Sequence, residues 1–475
     1  MLGQALTDAL VPLLDGTRER GEVVRALCPP HDAAAVLYSL TKLERAGMLV
    51  PSSALLPLRS ISKAPGSHRS AAISEAWARF SPYTSVLAHP PSHVPLPEGL
   101  HVCFAPLAQP GELPGFEPLM AVGRGETELH ARLGCVAEGI ERMAALYTGT
   151  EPTVLARLSD LEAAVPPPDL QLFSERQLAE PQGGVPARYE PSTPIEWSEA
   201  TSLLHARRVH VPTACCYLRY PLPQRSPISP ADSSGCAAGL TTEEAVLHGL
   251  LEIIERDAAA IWWRNRLRRP ELPLKELDDM FIERCREALE ARGRTLAALD
   301  LTTDVGIPAI AAVSWRKQDG RRIVVALGAH PSPHVAARQA VAELLQRSAT
   351  ELTTAPVQPL PGHPFTRWLD EARLEEHPQL MPAGLARWPA DSSGADLRDE
   401  LQLAIGRVAA TGHDVLVMEL SRDELGPPVV RVLVPGFRSI GRRFAPGRLF
   451  DVPVAMGWRS TPCVEGALNP TALVL

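Results

Sequence analysis

The segment Gly249-Leu250-Leu251-Glu252-Ile253-Ile254-Glu255-Arg256-Asp257 sets two carboxylates three residues apart, followed at once by an arginine and another acid. It lies in Thr242–Trp263, where Val246, Leu250, Ile253 and Ile254 recur at helical spacing and form a core face. Residues three apart on a helix share one side, so Glu252 and Glu255 can reach a single cation or a metal-bound polyphosphate. Upstream, Ser233-Ser234-Gly235-Cys236-Ala237-Ala238-Gly239 is a small-residue loop that lets backbone approach a ligand, and Thr241 or Thr242 is placed to cap the helix.

Working outward, His130–Tyr147 repeats the pattern. Leu133, Val136, Ile140, Met143 and Tyr147 keep helical spacing, and Glu138 and Glu141 precede Arg142. A third helix, from about Pro333 to Glu351, follows the turn Gly328-Ala329-His330-Pro331 and offers Arg338, Gln339, Glu343 and Gln346. Arginine suits phosphate oxygens, and a Gln346 amide suits a base or ribose. One Glu-x-x-Glu-Arg is ordinarily a solvated face with local ion pairs. Two copies, one behind a Gly-rich loop and closed at its far end by Trp262-Trp263, point instead to one nucleotide site on which the helices converge.

Other chemistry is sparse. His130, His248 and His330 each sit beside a motif without a partner at metal-ligand or triad spacing, and read as polar supports. Cys135 and Cys236 have no evident activating base and read as small buried thiols. A dinuclear hydrolase would want His or Asp interleaved with the glutamates.

The 475 residues allow two or three units or one large domain with additions, and 45% hydrophobic with 21% charged residues is a globular balance. A net charge of −8 opposes nucleic-acid binding. No apolar run reaches the roughly 18–20 residues of a membrane span, and Asp8 and Asp15 stand where a signal peptide would be basic, so a cytoplasmic protein without membrane attachment is expected. Eight cysteines without a Cys-x-x-Cys pair predict reduced thiols and no structural zinc. The 47 prolines predict many rigid loops.

Residues 1–50 have the outline of a winged helix: an amphipathic start, a helix from about Arg18 to Leu27, a Pro29-Pro30 break, and a helix from Asp32 with Val36, Leu37, Leu40 and Leu43 on one face. Its charges are balanced and give no basic face for phosphates, which favours docking of a peptide or protein. The expected division is a docking module at 1–55, a linker at 56–75 and a catalytic domain at 76–475. From about residue 75, strand-like runs such as His101–Ala105, Arg322–Leu327, Val415–Met418 and Val429–Val434 alternate with amphipathic helices, an α/β or α+β core. Pro-rich stretches at 164–195 and 355–395 read as surface excursions.

Taken together, Gly123-Arg124-Gly125-Glu126-Thr127, the two Glu-x-x-Glu-Arg helices, the Ser233–Gly239 loop with Glu243-Glu244-Ala245, Gly328-Ala329-His330-Pro331 and Pro435-Gly436-Phe437 resemble the YcaO superfamily from about Arg79 to the C-terminus. The resemblance implies an α+β domain with helices carrying clustered glutamates over mixed sheets. It also implies ATP and Mg²⁺ bound between the helices, with Glu138, Glu141, Glu252 and Glu255 around the metal and phosphates. Arg142, Ser233, Ser234, Arg256, Arg338, Gln339, Glu343 and Gln346 complete the expected nucleotide site; the catalytic residues stay unassigned. The implied activity is ATP-dependent activation of peptide backbone amides, above all cyclodehydration of Cys, Ser or Thr to azolines. Thioamide or amidine formation, or a non-catalytic docking subunit, are the alternatives. The implied partners are a ribosomal precursor peptide and a leader-recognition or ubiquitin-activating-like protein, and a homodimer is compatible. The N-terminal unit resembles part of a winged-helix leader-recognition element.

Four positions depart from the family pattern. Gly134 replaces a Ser, Ser234 replaces an Asn, and Gln339 stands where the third helix commonly has Arg, which here is Arg338. The end, Leu468–Leu475, lacks the Pro-x-Pro-x-Pro-like tail of azoline-forming members.

Overall fold

The computed structural model of the chain describes residues 20–28, 30–33, 36, 40, 86–88, 91–96, 99–108, 119–181, 184–223, 226–352, 364–422 and 425–475. The chain divides into two units, Met1–Ala64 and Pro65–Leu475. In the first, helix α1 (Arg20–Leu27) covers the segment expected to be helical and buries Val23 and Leu27. The rest of the winged-helix outline, apart from a few positions, and the linker lie outside the described residues.

The second unit opens with an antiparallel sheet of β1 (Ser92–Pro95), β2 (His101–Pro106) and β3 (Met120–Gly125), in that order. Helix α2 (Glu128–Ala144) follows at once, its N-terminus capped by Thr127, whose hydroxyl accepts from the His130 N–H at 3.2 Å. It lies on β3 at backbone contact. A Cβ at Gly123 would stand 2.0 Å from the Ala131 carbonyl oxygen, and one at Gly134 would come 3.3 Å from Gly123 Cα. The glycine at 134 is therefore part of this seam.

Then come β4 (Val154–Ala156), the short helices α3 (Pro167–Gln171) and α4 (Glu175–Ala179), β5 (Ile195–Ser202), β6 (Arg207–Pro212), β7 (Cys236–Ala238) and the long helix α5 (Thr242–Arg264), capped by Thr241. After α6 (Met280–Ala291), strands β8 (Ala297–Asp300), β9 (Ala309–Ser314) and β10 (Val324–Ala329) form a second antiparallel sheet. Almost every residue in it is buried, because both faces are covered. Ile310, Ala312, Val324 and Ala326 meet Ala336, Ala340 and Leu344 of α7 (Pro333–Leu352), while Ala311, Val313, Val325 and Leu327 join Trp262 and Trp263. Burial on both sides explains why these strands read as continuous apolar runs.

Helices α8 (Pro364–Glu371) and α9 (Leu397–Ala410), strands β11 (Leu416–Glu419) and β12 (Val429–Leu433) and helix α10 (Arg448–Ala455) complete the unit. The third sheet runs β4-β5-β11-β12-β7, with β6 on β5. The architecture is α+β. Its described ladders are antiparallel, and parallel pairing is confined to isolated bridges such as Leu146 with Leu218.

The Pro-rich stretches are not mere surface excursions. In the second, Trp368 and Leu380 are buried in the cluster around Trp262 and Trp263, and the Trp368 indole N–H donates to the Ile323 carbonyl at 2.9 Å. Residues 353–363 lie outside the described part. In the first, Leu172 and Ser174 are buried, and Ser174 Oγ donates to Glu465 at 2.9 Å. Single buried side chains, Leu172 in the first stretch and Trp368, Leu369 and Leu380 in the second, tie both segments to the core. The C-terminal tail is built in as well: Leu473 is buried, and Trp263 Nε1 and Arg264 Nη1 donate to the Thr471 carbonyl at 2.8 and 2.9 Å.

Candidate functional site

Three helices from distant parts of the chain bring their acids together. On α2, Glu138 accepts from the Val122 backbone N–H at 2.8 Å and from Arg142 at 2.5 Å, one turn on. On α5, Glu252 accepts from the Gly235 N–H at 2.9 Å and pairs with Arg256 at 3.3 Å, while Glu255 lies 3.9 Å from the same guanidinium. On α7, Glu343 pairs with Arg347 at 2.8 Å and with Arg124, from the end of β3, at 3.7 Å. Arg124 also donates to the Gln346 side-chain oxygen at 3.0 Å, tying α7 to the strand that leads into α2.

Backbone geometry makes the Gly235 contact. Gly235 has φ +81°, and a Cβ there would stand 2.2 Å from the Val432 carbonyl oxygen, so only glycine turns its N–H toward Glu252. The Val432 N–H donates to the Gly235 carbonyl at 2.7 Å, fastening the loop to β12. Ser233 gives its carbonyl to the Cys236 N–H at 2.9 Å, and the Ser234 N–H donates to Asp232 at 3.0 Å.

The carboxylates sense one another. Glu141 is driven well above the usual range, first by burial, then by the charges of Glu252 and Glu138. Glu252 is raised by burial, against which Arg256 and the Gly235 N–H work. Glu255 is pushed up to about 8 by burial, opposed by Arg256 and assisted by the Glu343 and Glu252 charges. Burial acts the same way on Glu343, but Arg347, Arg124 and Arg256 outweigh it and hold it below the usual range. Crowded carboxylates of this kind favour a cation, which relieves repulsion and desolvation together.

Among the described residues no group of three or more His, Cys, Asp or Glu is arranged to hold a metal unaided. Arg142 and Arg256 stand in ion pairs among the acids instead. That arrangement fits a metal arriving with its own phosphate ligands, the usual manner of Mg²⁺, with the guanidiniums meeting the phosphates. Arg256 Nε is buried without a hydrogen-bond partner.

Other expected site residues are placed differently. Arg338 is held by Asp279 and Glu126 and stacks 4.6 Å over the Phe281 ring. On a helix it stands roughly 140° away from Glu343, whereas Gln339, four residues before Glu343, shares its face and is exposed. Arg124 and Arg347 are cluster members that sequence reasoning did not single out. Arg124 stood in the quoted Gly123-Arg124-Gly125 run, and the i, i+4 spacing of Glu343 and Arg347 was a legible signal. Asp257, also in the motif, is fully buried and serves packing. It accepts from Arg448 at 2.7 Å and from the Arg438 N–H at 2.9 Å.

Fold and site together define an α+β protein with a carboxylate–arginine cluster suited to a metal-bound polyphosphate. The family model described as YcaO cyclodehydratase, ATP- and Mg²⁺-binding, matches residues 122–438, and the chain belongs to that family. An uncharacterized protein in the tfuA 3′ region of Rhizobium leguminosarum bv. trifolii is 30% identical over 359 residues, 70% of this chain and 81% of its own length. A heterocyclase solved with substrate and cofactor is 31% identical with a TM-score of 0.79, the match covering 88% of this chain and 59% of the heterocyclase, so the chain spans little more than half of that protein. YcaO from Methanopyrus kandleri, solved with AMPPCP and Mg²⁺, shares the fold at 21% identity and a TM-score of 0.57, covering 78% of this chain and 91% of that one.

Proposed function

We propose that the chain uses ATP and Mg²⁺ to activate a backbone amide of a ribosomally made precursor peptide, converting Cys, Ser or Thr to an azoline by cyclodehydration. The observation that carries this reading is the meeting of Glu138, Glu141, Glu252, Glu255 and Glu343 from three helices, interleaved with arginines. Glu138, Glu141, Glu252 and Glu255 would hold Mg²⁺, which when bound neutralises phosphate charge. Arg142, Arg256, Ser233 and Ser234, with Gln339, Glu343 and Gln346 on α7, would hold the nucleotide, and Arg124 would orient Glu343 and Gln346. Arg338 would contribute at the rim through its hold on Glu126.

In the reaction so read, the substrate side chain attacks the preceding carbonyl carbon and closes the ring as its own proton is lost. The terminal phosphoryl group of ATP passes to the former carbonyl oxygen leaving ADP, and phosphate then departs with that oxygen as the amide nitrogen gives up its proton and the C=N bond forms. The nucleophile belongs to the peptide, so the protein's part is positioning and charge neutralisation. Among the described residues no helix is long and apolar enough to cross a membrane. The reading takes the enzyme to be cytoplasmic, with a leader-recognition partner, residues 1–55 docking and 56–75 as linker.

The test incubates the full chain with ATP, Mg²⁺ and a panel of synthetic Cys-, Ser- and Thr-containing peptides, following ATP turnover and peptide mass. Loss of one water per modified residue, with matching ATP consumption, is expected. Exchange of a carbonyl oxygen for sulfur when sulfide is supplied would redirect the reading to thioamide formation, and absence of ATP binding would overturn it.

A further inference from the structure

Beside the glutamates lies a cavity of about 80 Å³ whose walls include Arg256, Arg431, Arg438, Ser229 and Ser439. That is room for several waters, and so for one tetrahedral oxyanion. Several donors in its lining are only partly used. Arg431 and Arg438 are 4% and 3% exposed. Arg431 spends Nη1 on the Asp232 carbonyl, at 2.6 Å, and on Cys236 Sγ, at 3.2 Å, while its Nε has no partner. Arg438 spends Nη2 on the Pro446 carbonyl at 2.6 Å, leaving both Nε and Nη1 unmatched. Ser229 Oγ and Ser439 Oγ are likewise buried without hydrogen-bond partners, whereas Arg256 Nε faces Glu255 at 3.9 Å. Buried N–H groups in that state cost free energy that a bound acceptor returns. Arg443 adds a further cation to the wall, and Asp232, occupied with the Ser234 N–H at 3.0 Å, is the carboxylate among the lining residues, so positive charge prevails.

We infer that this cavity is an oxyanion site that receives inorganic phosphate released at the neighbouring glutamate cluster. Arg256 belongs to both places, paired with Glu252 on one side and lining the cavity on the other. The source of the phosphate rests on the ATP-dependent reading proposed above; the site itself rests on the unmatched donors. Burial pulls the Arg438 guanidinium down to about 10 although Asp257 works against it, the mark of a buried cation that lacks sufficient negative charge. The cavity shares Ser229, Pro230 and Arg443 with an open recess of about 530 Å³ lined by Arg176 and Arg442 and also by Glu180 and Glu465, which gives the anion a polar way out.

The test titrates the full chain, without nucleotide, with sodium phosphate at constant ionic strength, read by calorimetry and ³¹P line width. Saturable binding is expected, with acetate weaker. Arg438→Met should weaken phosphate binding about tenfold or more, the effect of losing a charged hydrogen-bond donor. Because Arg438 also holds the Pro446 loop, the double variant Ser229→Ala/Ser439→Ala serves as a second probe, with roughly two- to fivefold weaker binding and an unchanged melting temperature. Phosphate that fails to bind, acetate that binds as tightly, or binding that neither variant alters overturns the site. ATP turnover is measured separately. Turnover without phosphate binding removes the site and leaves the proposed function, whereas phosphate binding lost in the variants, without turnover, keeps the site and removes its proposed source.

Discussion

Replacing Glu255 by Gln should stabilise the nucleotide-free protein at alkaline pH while abolishing ATP-dependent activity. The Glu255 side chain is 15% exposed, and its carboxyl is pushed from the ordinary 4.5 up to about 8, by burial first and then by neighbouring Glu343 and Glu252 against the pull of Arg256. Between those values the folded protein keeps a proton that the unfolded chain has released, so stability falls as pH rises through the window. At about 1.4 kcal/mol per tenfold change in proton affinity, ionising Glu255 in the fold costs at most about 4–5 kcal/mol. Glu343 shares the local charge, which brings the expected gain for Glu255→Gln at pH 8.5 to about 2–4 kcal/mol, and none at pH 4. For a unit of this size that is a rise of roughly 2–4 °C in Tm. Thermal melts of wild type and variant from pH 4.5 to 8.5 check it, with and without Mg²⁺ and a non-hydrolysable ATP analogue. The ligand should close the gap at high pH by stabilising the wild type alone. Parallel pH profiles, or a variant that melts lower at pH 8.5, would show that Glu255 is held by a structural ion pair and refute the reasoning.

Arg124→Ala removes the contacts to Gln346 and Glu343; the KM for ATP should rise about tenfold with the fold retained, as seen by steady-state turnover and circular dichroism. Asp257→Asn strips a fully buried partner from Arg448 and should cost about 3 kcal/mol or more, measured by chemical denaturation; a loss below 1 kcal/mol would mean Asp304 alone satisfies that arginine. Deleting residues 471–475 takes away Leu473 and the carbonyl that receives Trp263 and Arg264, and should lower Tm by several degrees even without ligands, whereas an unchanged melt would show that these contacts do not hold the core together.

How much of this was legible beforehand depends on distance along the chain. Helices α2, α5 and α7 could be read because a 3.6-residue period, a capping Thr before α5 and the i, i+3 acids of α2 and α5 are local facts. The same local rule put Glu252 and Glu255 on one face and made Arg347 a readable partner for Glu343. The family pattern then supplied what the acids are for, without which a repeated Glu-x-x-Glu-Arg names no ligand.

Tertiary structure decided the rest, since nothing local encodes it. Arg124 and Gln346 are 222 residues apart, and their contact exists because α7 lies beside β3. Arg338 looked like the phosphate ligand displaced by one position, yet the phase of α7 gives it to Asp279 and Glu126. The Pro-rich stretches read as surface excursions because prolines hide short helices, yet Trp368 has apolar neighbours in the core around Trp263, where Leu473 of the tail also packs. The sequence by itself determined which residues carry charge and on which helical face. Only the packing of distant elements decided which charges are paired and which are buried, because desolvation and ion pairing depend on what is brought alongside.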